Sequence, residues 1–235
     1  MNRKIELSPR LRMVADLVPA GARLADVGTD HAYLPAALIL EGKIPSAIAA
    51  DLRQGPLARA RTTVREARLT GRVAFRLCDG LKGIDPGETE AVAIAGMGGE
   101  TIASILAAAP WTRERDLPLI LQPMSSMSDL RLWLGENGFR IVTERLAREG
   151  DTLYTAMLVR AGQMASQTPA ELWAGRNTAD PLRGDWLDLW LGKTDRALDG
   201  LAQARQEGAA RRRQELEQVR AGLLEMKKEW EAWQR

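Results

Sequence analysis

Between residues 23 and 138, short apolar runs alternate with helical stretches, and the first four runs each stop at a glycine or an acid. The runs are Arg23–Val27 before Gly28, Ser46–Ala50 before Asp51, Val73–Cys78 before Asp79-Gly80, and Ala91–Ala95 before Gly96. Leu117–Leu121 is a fifth, followed by Gln122-Pro123. Uniformly apolar runs suit strands covered on both faces. Between them lie helices at about Tyr33–Glu41, from Gly55-Pro56 to near Gly71, and at Glu100–Ala108, while Ser128–Glu136 follows the fifth. Ser8-Pro9 opens an earlier helix to about Leu17, with serine as N-cap and proline in the first turn. Parallel strands need such crossovers, and these pack helices on both faces of the sheet. Two last strands, Arg140–Arg148 and Leu153–Arg160, join through Glu149-Gly150-Asp151 as a hairpin. The pattern predicts an α/β fold with a seven-stranded, mainly parallel sheet and an antiparallel strand added late.

The composition changes after Gly162. Residues 163–184 are polar and carry Pro169 and Pro181, as a connector does. Helix formers then dominate from Asp185 to Gln234. Leu216, Val219, Leu223, Met226, Trp230 and Trp233 fall at steps of three and four, and Leu187, Trp190, Leu191, Leu198 and Leu201 give an earlier stripe. With a break at Gly208, these predict an antiparallel coiled-coil hairpin. Residues 1–162 and 163–235 are therefore expected to form two domains.

Bulk properties narrow the setting. Net charge is only +2 over 235 residues. No window reaches the roughly 18 consecutive apolar residues of a membrane span, and Met1–Glu6 lacks the apolar core of a signal peptide. One cysteine, Cys78, and one histidine, His31, cannot build a usual structural zinc site. A cytoplasmic monomer without a metal or membrane partner is expected. Basic charge is uneven: from Arg53 to Arg76 there are seven arginines against Glu66. Arg61, Arg65, Arg68 and Arg72 follow helical spacing and form either a solvated face or a phosphate-contacting stripe. Acids and bases number 12 each from residue 161 onward, yet Arg211, Arg212 and Arg213 adjoin near the expected hairpin tip. That cluster could meet an elongated polyanion.

The stretch from Leu24 to Pro35 decides the ligand. A dinucleotide-binding turn carries three glycines and a bare helix N-terminus for a pyrophosphate. Here Asp26 and Asp30 flank Gly28, and His31 follows. Carboxylates suit a cation, and S-adenosyl-L-methionine carries a sulfonium and an ammonium. Asp51 would take both ribose hydroxyls, because a carboxylate accepts two hydrogen bonds at once. Asp79, beside Gly80, would accept from the adenine amino group. His31 is expected in the cofactor wall rather than as a proton carrier, and Tyr33 either faces the cleft or packs its helix. Gly96-Met97-Gly98-Gly99 supplies backbone and a thioether, but no carboxylate and no ring, where the methyl acceptor would sit. A ring nitrogen already holds a lone pair and attacks without first losing a proton, so this site favours one. Met97 and Gly98, with His31, are the candidate catalytic positions.

Other readings stay open on these residues: a methyltransferase with another RNA or a small-molecule acceptor, a non-catalytic RNA-binding protein, or a dinucleotide-dependent oxidoreductase. Leu7-Ser8-Pro9-Arg10-Leu11, Ala25–Pro35, Gly55-Pro56, Asp79-Gly80-Leu81, Ile94–Gly99 and Leu119–Pro123 occur in that order. Through them the chain resembles the bacterial tRNA adenine-22 N1-methyltransferases, closely over residues 7–160. Thr29 stands where serine is expected, and Asp51 where a glycine-glutamate ending is. The resemblance implies a class I Rossmann-like fold and methyl transfer from S-adenosyl-L-methionine to N1 of an adenine in the D-arm region of tRNA. It also implies that the C-terminal coiled coil helps hold the tRNA.

Overall fold

The structure, a computed structural model, describes residues 5–176, 179–202 and 208–234. In chain order the elements are α1 (Pro9–Leu17), β1 (Leu24–Val27), α2 (Tyr33–Leu40), β2 (Ala47–Asp51), α3 (Gln54–Glu66), β3 (Val73–Leu77) and β4 (Ala91–Gly98). There follow α4 (Gly99–Ala107), α5 (Trp111–Glu114), β5 (Leu119–Ser125), α6 (Met127–Glu136), β6 (Phe139–Glu149) and β7 (Thr152–Ala161). The chain ends in α7 (Pro169–Ala174), α8 (Arg183–Ala202) and α9 (Ala209–Trp233).

The strands form one seven-stranded sheet in the order β3-β2-β1-β4-β5-β7-β6. β1 pairs in parallel with both β2 and β4, and β7 alone runs against its neighbours β5 and β6. The chain reverses its direction of winding at β1, so β1 and β4 diverge toward opposite halves of the sheet. Ligands on such sheets bind outside the carboxyl ends of the strands at this switch point.

Apolar side chains from α1, α2 and α3 cover one face, among them Val14, Leu38, Ala60 and Val64. α4 and α6 cover the other with Ile102, Leu106, Leu130 and Leu134. Each fully buried leucine or isoleucine is worth about 1.5–3 kcal/mol, and the central strands contribute such residues to both faces. A third cluster joins Leu153 of β7 to Ala170, Trp186, Leu187, Val219 and Leu223. Arg131 of α6 ties these parts together. It is fully buried, pairs with Glu144 of β6 at 2.6 Å, and donates to the carbonyls of Leu172 at 2.8 Å and Trp173 at 3.2 Å. Its charge and its donors are thus satisfied where burial would otherwise be costly.

α8 and α9 run antiparallel, because Arg220 pairs with Asp195 at 2.6 Å and Lys227 pairs with Asp188. Gly208 caps α9 in a left-handed conformation, φ +92°; residues 203–207, where the expected hairpin would turn, lie outside the described residues.

Several expectations need correction. α3 ends at Glu66, not near residue 71. Arg68 takes a left-handed conformation and Arg72 turns back to the carbonyls of Pro45 and Ile44. The four arginines therefore stay exposed but do not share a helix face. β4 and β5 extend through Gly98 and Ser125 instead of stopping at residues 95 and 121, with irregular pairing about Met97. The supposed connector contains α7, whose Thr168 and Glu171 form a reciprocal capping box. Trp233 is 60% exposed and lies off the seam.

Candidate functional site

The turn after β1 hangs from the end of β2. Gly28 and Thr29 donate their backbone N–H groups to Ala50 O at 2.8 and 3.0 Å. Gly28 has φ +78°, and a Cβ there would collide with Cε of Met97, which crosses from β4. A side chain at residue 28 is thus barred by conformation and by space. Thr29 Oγ1 accepts from Ala32 N at 3.2 Å and so sets the entry to α2.

Beneath this turn Asp26 is 6% exposed. Burial pushes its carboxyl up to about 6, and repulsion by Asp51 adds to the rise, while the Thr29 hydroxyl opposes it. Asp51 ends β2 and is nearly buried; its Oδ1 accepts from Arg53 N at 2.7 Å. Asp79 follows β3 and pairs with Lys82 at 2.5 Å. Gly80, φ +58°, lies against Ile105, where a Cβ would come within 3.0 Å.

A cleft of about 490 Å³ opens between these ends, within the range of about 300–1,000 Å³ usual for small-molecule sites. Its walls include Gly28, Asp51, Asp79, Gly80 and Met97, all singled out from the sequence. α4 supplies an opposite wall through Glu100, Thr101, Ser104 and Ile105. These were missed, although their one-and-four spacing after a glycine-rich strand end marks a helix face turned to the cleft. The acids Asp51, Asp79 and Glu100, with Asp26 behind them, suit a ligand carrying positive charge and hydroxyl or amino donors.

Asp26, Asp30, His31, Gly96 and Gly98 do not line this cleft. α2 begins at Tyr33, as expected, with Ala32 as its left-handed cap. Asp30 is exposed and held by the guanidinium of Arg59, Nε at 3.0 Å. His31 stands 3.5 Å from Asp30 and stacks on Tyr33, ring centroids 4.9 Å apart and 7° from parallel. The stacked pair is partly open to solvent, and Tyr33 faces outward beside His31 and does not line the cleft. Gly96, φ +78°, is fixed by donating its N–H to Gln122 Oε1 at 3.1 Å. The same oxygen receives Arg10 Nη1 at 2.8 Å.

Of the arginines marked for RNA, Arg61 lies over the Phe75 ring at 4.3 Å. Arg211 and Arg212 pair with Glu215 at 3.2 Å, and Arg213 pairs with Glu217 at 2.9 Å, all exposed. Among the described residues no group of three or more His, Cys, Asp or Glu is placed to hold a metal ion, and no helix is long and apolar enough to cross a membrane.

Residues 7–157 match the family model of a methyltransferase domain. The fold and its acid-lined cleft at the switch point make this a Rossmann-like methyltransferase. A curated relative, the tRNA (adenine(22)-N(1))-methyltransferase of Bacillus subtilis (strain 168), is 38% identical over 159 residues, 68% of this chain and 67% of that one. The crystal structure of the B. subtilis m1A22 tRNA methyltransferase TrmK matches with a TM-score of 0.82 at 31% identity, covering 95% of this chain and 99% of the other. M. capricolum TrmK in complex with S-adenosyl-homocysteine, its natural cofactor product, matches at 0.75 and 25% identity over 96% and 98% of the two chains. Within the methyltransferases, the chain belongs to the tRNA (adenine(22)-N(1))-methyltransferase family.

Proposed function

We propose that this chain transfers the methyl group of S-adenosyl-L-methionine to N1 of adenine 22 in tRNA. The observation that carries the reading is the convergence of Gly28, Asp51 and Asp79, from three successive strand ends, on one cleft at the switch point. The residues fit the cofactor: Gly28 presents bare backbone to the cleft, and the acids match its hydroxyl, amino and cationic groups. S-adenosyl-L-methionine supplies the activated methyl group. Asp51 holds the ribose hydroxyls through the carboxylate oxygen not engaged by its own turn. Asp79 and Gly80 hold the adenine edge. Asp26 stabilises positive charge from beneath the Gly28 turn, and Asp30 and His31 close the rim.

Met97, Gly98 and the bulged backbone at Gly96 position the target base. N1 of adenine is neutral and has a free lone pair, so no residue has to remove a proton before attack. Catalysis then rests on alignment and exclusion of water. The methylated ring becomes cationic, and the acids nearby stabilise it. Turning the base out of its stack costs a few kcal/mol, which a basic surface helps to offset. We assign that surface to Arg61, Arg65, Arg68 and Arg72 beside the sheet edge and to Arg211, Arg212 and Arg213 on α9. We read residues 1–162 as the cofactor-binding domain and 163–235 as the tRNA-holding domain of a cytoplasmic monomer that needs no metal. The test is transfer of labelled methyl groups to unmodified tRNA transcripts. Label in tRNA, lost on Asp51→Ala, supports the reading; no transfer despite cofactor binding refutes it.

A further inference from the structure

Arg10 is a cation placed beside Gly96 of β4, with no carboxylate among the described residues in ion-pair contact with it. Several other arginines of the sheet and its first helices are paired with acids: Arg12 with Glu41, Arg59 with Asp30, Arg76 with Glu88 and Arg160 with Asp116. Among the described residues no carboxylate lies within 4.0 Å of the Arg10 guanidinium. Glu149 feels the Arg10 charge without forming an ion pair with it: its carboxylate accepts from the Ser8 hydroxyl and from the Arg10 backbone N–H at 3.2 Å, and these with the Arg10 charge hold it below the usual carboxylate range.

The guanidinium is held by Gln122, a residue 112 positions away and fully buried. Gln122 Nε2 donates to Pro123 O at 3.0 Å, and that fixes which way the amide points. Its oxygen is left to Arg10 Nη1 and Gly96 N, which both donate to it. Arg10 also rests above the Tyr154 ring, 5.8 Å from the centroid. A guanidinium has five N–H donors, and a single side-chain hydrogen bond is formed here. The guanidinium stands next to Gly96, which is exposed, with Nη1 only 3.6 Å from where a Cβ of that glycine would lie.

We infer that Arg10 binds a phosphodiester of the RNA strand that carries the target base, and that Gln122 positions it for that contact. The inference rests on the methyl-transfer reading above. A planar fork of donors matches phosphate oxygens. It is a poor neighbour for a ring that becomes cationic on methylation, so the phosphate, not the base, is its partner. Arg10 and the Gly96 backbone share one acceptor. Docking the phosphate therefore sets the strand's distance from the very backbone that borders the target base.

The test uses the full-length chain with Arg10→Ala, Arg10→Lys and Gln122→Met. Fluorescence anisotropy with a labelled unmodified tRNA is measured over a salt series, beside steady-state kinetics and cofactor calorimetry. Arg10→Ala is expected to weaken tRNA binding about tenfold and to flatten the plot of log affinity against log salt by about one unit. Its effect falls mainly on KM for tRNA, and cofactor affinity holds. Arg10→Lys restores the salt slope but only part of the affinity, and Gln122→Met falls between wild type and Arg10→Ala. Unchanged tRNA affinity and salt slope in Arg10→Ala would overturn the inference. So would equal losses of cofactor and tRNA binding in all three variants, the mark of a structural role. A wild-type chain that binds tRNA without methylating it refutes the proposed function and leaves this test standing; one that binds no tRNA overturns both.

Discussion

Lowering the pH through 6 should weaken cofactor binding, because Asp26 must be ionised to serve a cation. In the folded chain its carboxyl is raised from 3.8 to about 6, first by burial and further by Asp51. For a raised acid, the stabilising contribution to the chain without cofactor is full below 3.8 and is lost as pH rises through about 6. Above that pH a buried carboxylate is carried at a cost of about 3 kcal/mol. A cation bound above the Gly28 turn offsets this cost and draws the pKa back down. Binding at pH 6 should therefore release about half a proton, and affinity should fall by about tenfold between pH 7.5 and pH 5. Calorimetry at pH 7.5, 6.0 and 5.0, in buffers of different ionisation enthalpy, reads both quantities. Performing it on a His31→Gln background leaves Asp26 as the acid of interest, and adding Asp26→Asn should abolish the pH dependence. Equal affinity at pH 5 and 7.5 with no proton released would refute the reasoning.

Other changes separate the cofactor cleft, the scaffold and the RNA surface. Gly28→Ala forces an alanine to φ +78° and into Met97; it should cost about 1–2 kcal/mol in denaturant unfolding and raise the cofactor dissociation constant at least about tenfold. Asp51→Asn keeps the size but loses a charged acceptor, so calorimetry should show binding weaker by about 1.5–3 kcal/mol with stability little changed. Arg131→Ala removes the buried ion-pair partner of Glu144 and the donor to the Leu172 and Trp173 carbonyls; urea unfolding should show a loss of about 3 kcal/mol. Replacing Arg211, Arg212 and Arg213 together by alanine should weaken tRNA binding in a filter assay and leave cofactor affinity as it was; undiminished tRNA binding would remove them from the RNA surface.

Much of the sheet could be read from the sequence because its central strands are buried on both faces and the first strands end in acids or glycines. The pattern around Leu24–Val27, Ala47–Asp51 and Val73–Leu77 is local, and so was the placement of Gly28, Asp51 and Asp79. Periodicity failed where the backbone changed hand. Arg68 interrupts the arginine stripe by adopting φ +57°, which spacing alone does not reveal. Gly96 and Gly98 look like turn residues, yet Gly98 pairs with Ser125 of β5 and Gly96 is the bulged residue, its N–H taken by the Gln122 side chain. The α7 capping box was visible in Thr168-Pro169-Ala170-Glu171, but the two prolines of that region masked it. Arg10 with Gln122 and Arg131 with Glu144 are invisible to any window, since each joins separate segments through tertiary packing. The uniqueness of His31 drew attention in the sequence, and only the fold shows its stacking on Tyr33 beside Asp30.

The central claim is the identity of the acceptor atom, and one measurement addresses it. Wild-type chain, labelled S-adenosyl-L-methionine and two unmodified tRNA transcripts are needed, one with adenine at position 22 and one with guanine there. The product is digested and its nucleosides are identified by mass. The account predicts 1-methyladenosine from the first transcript and no methylated nucleoside from the second. Equal labelling of both transcripts, or a methylated nucleoside other than 1-methyladenosine, would contradict it.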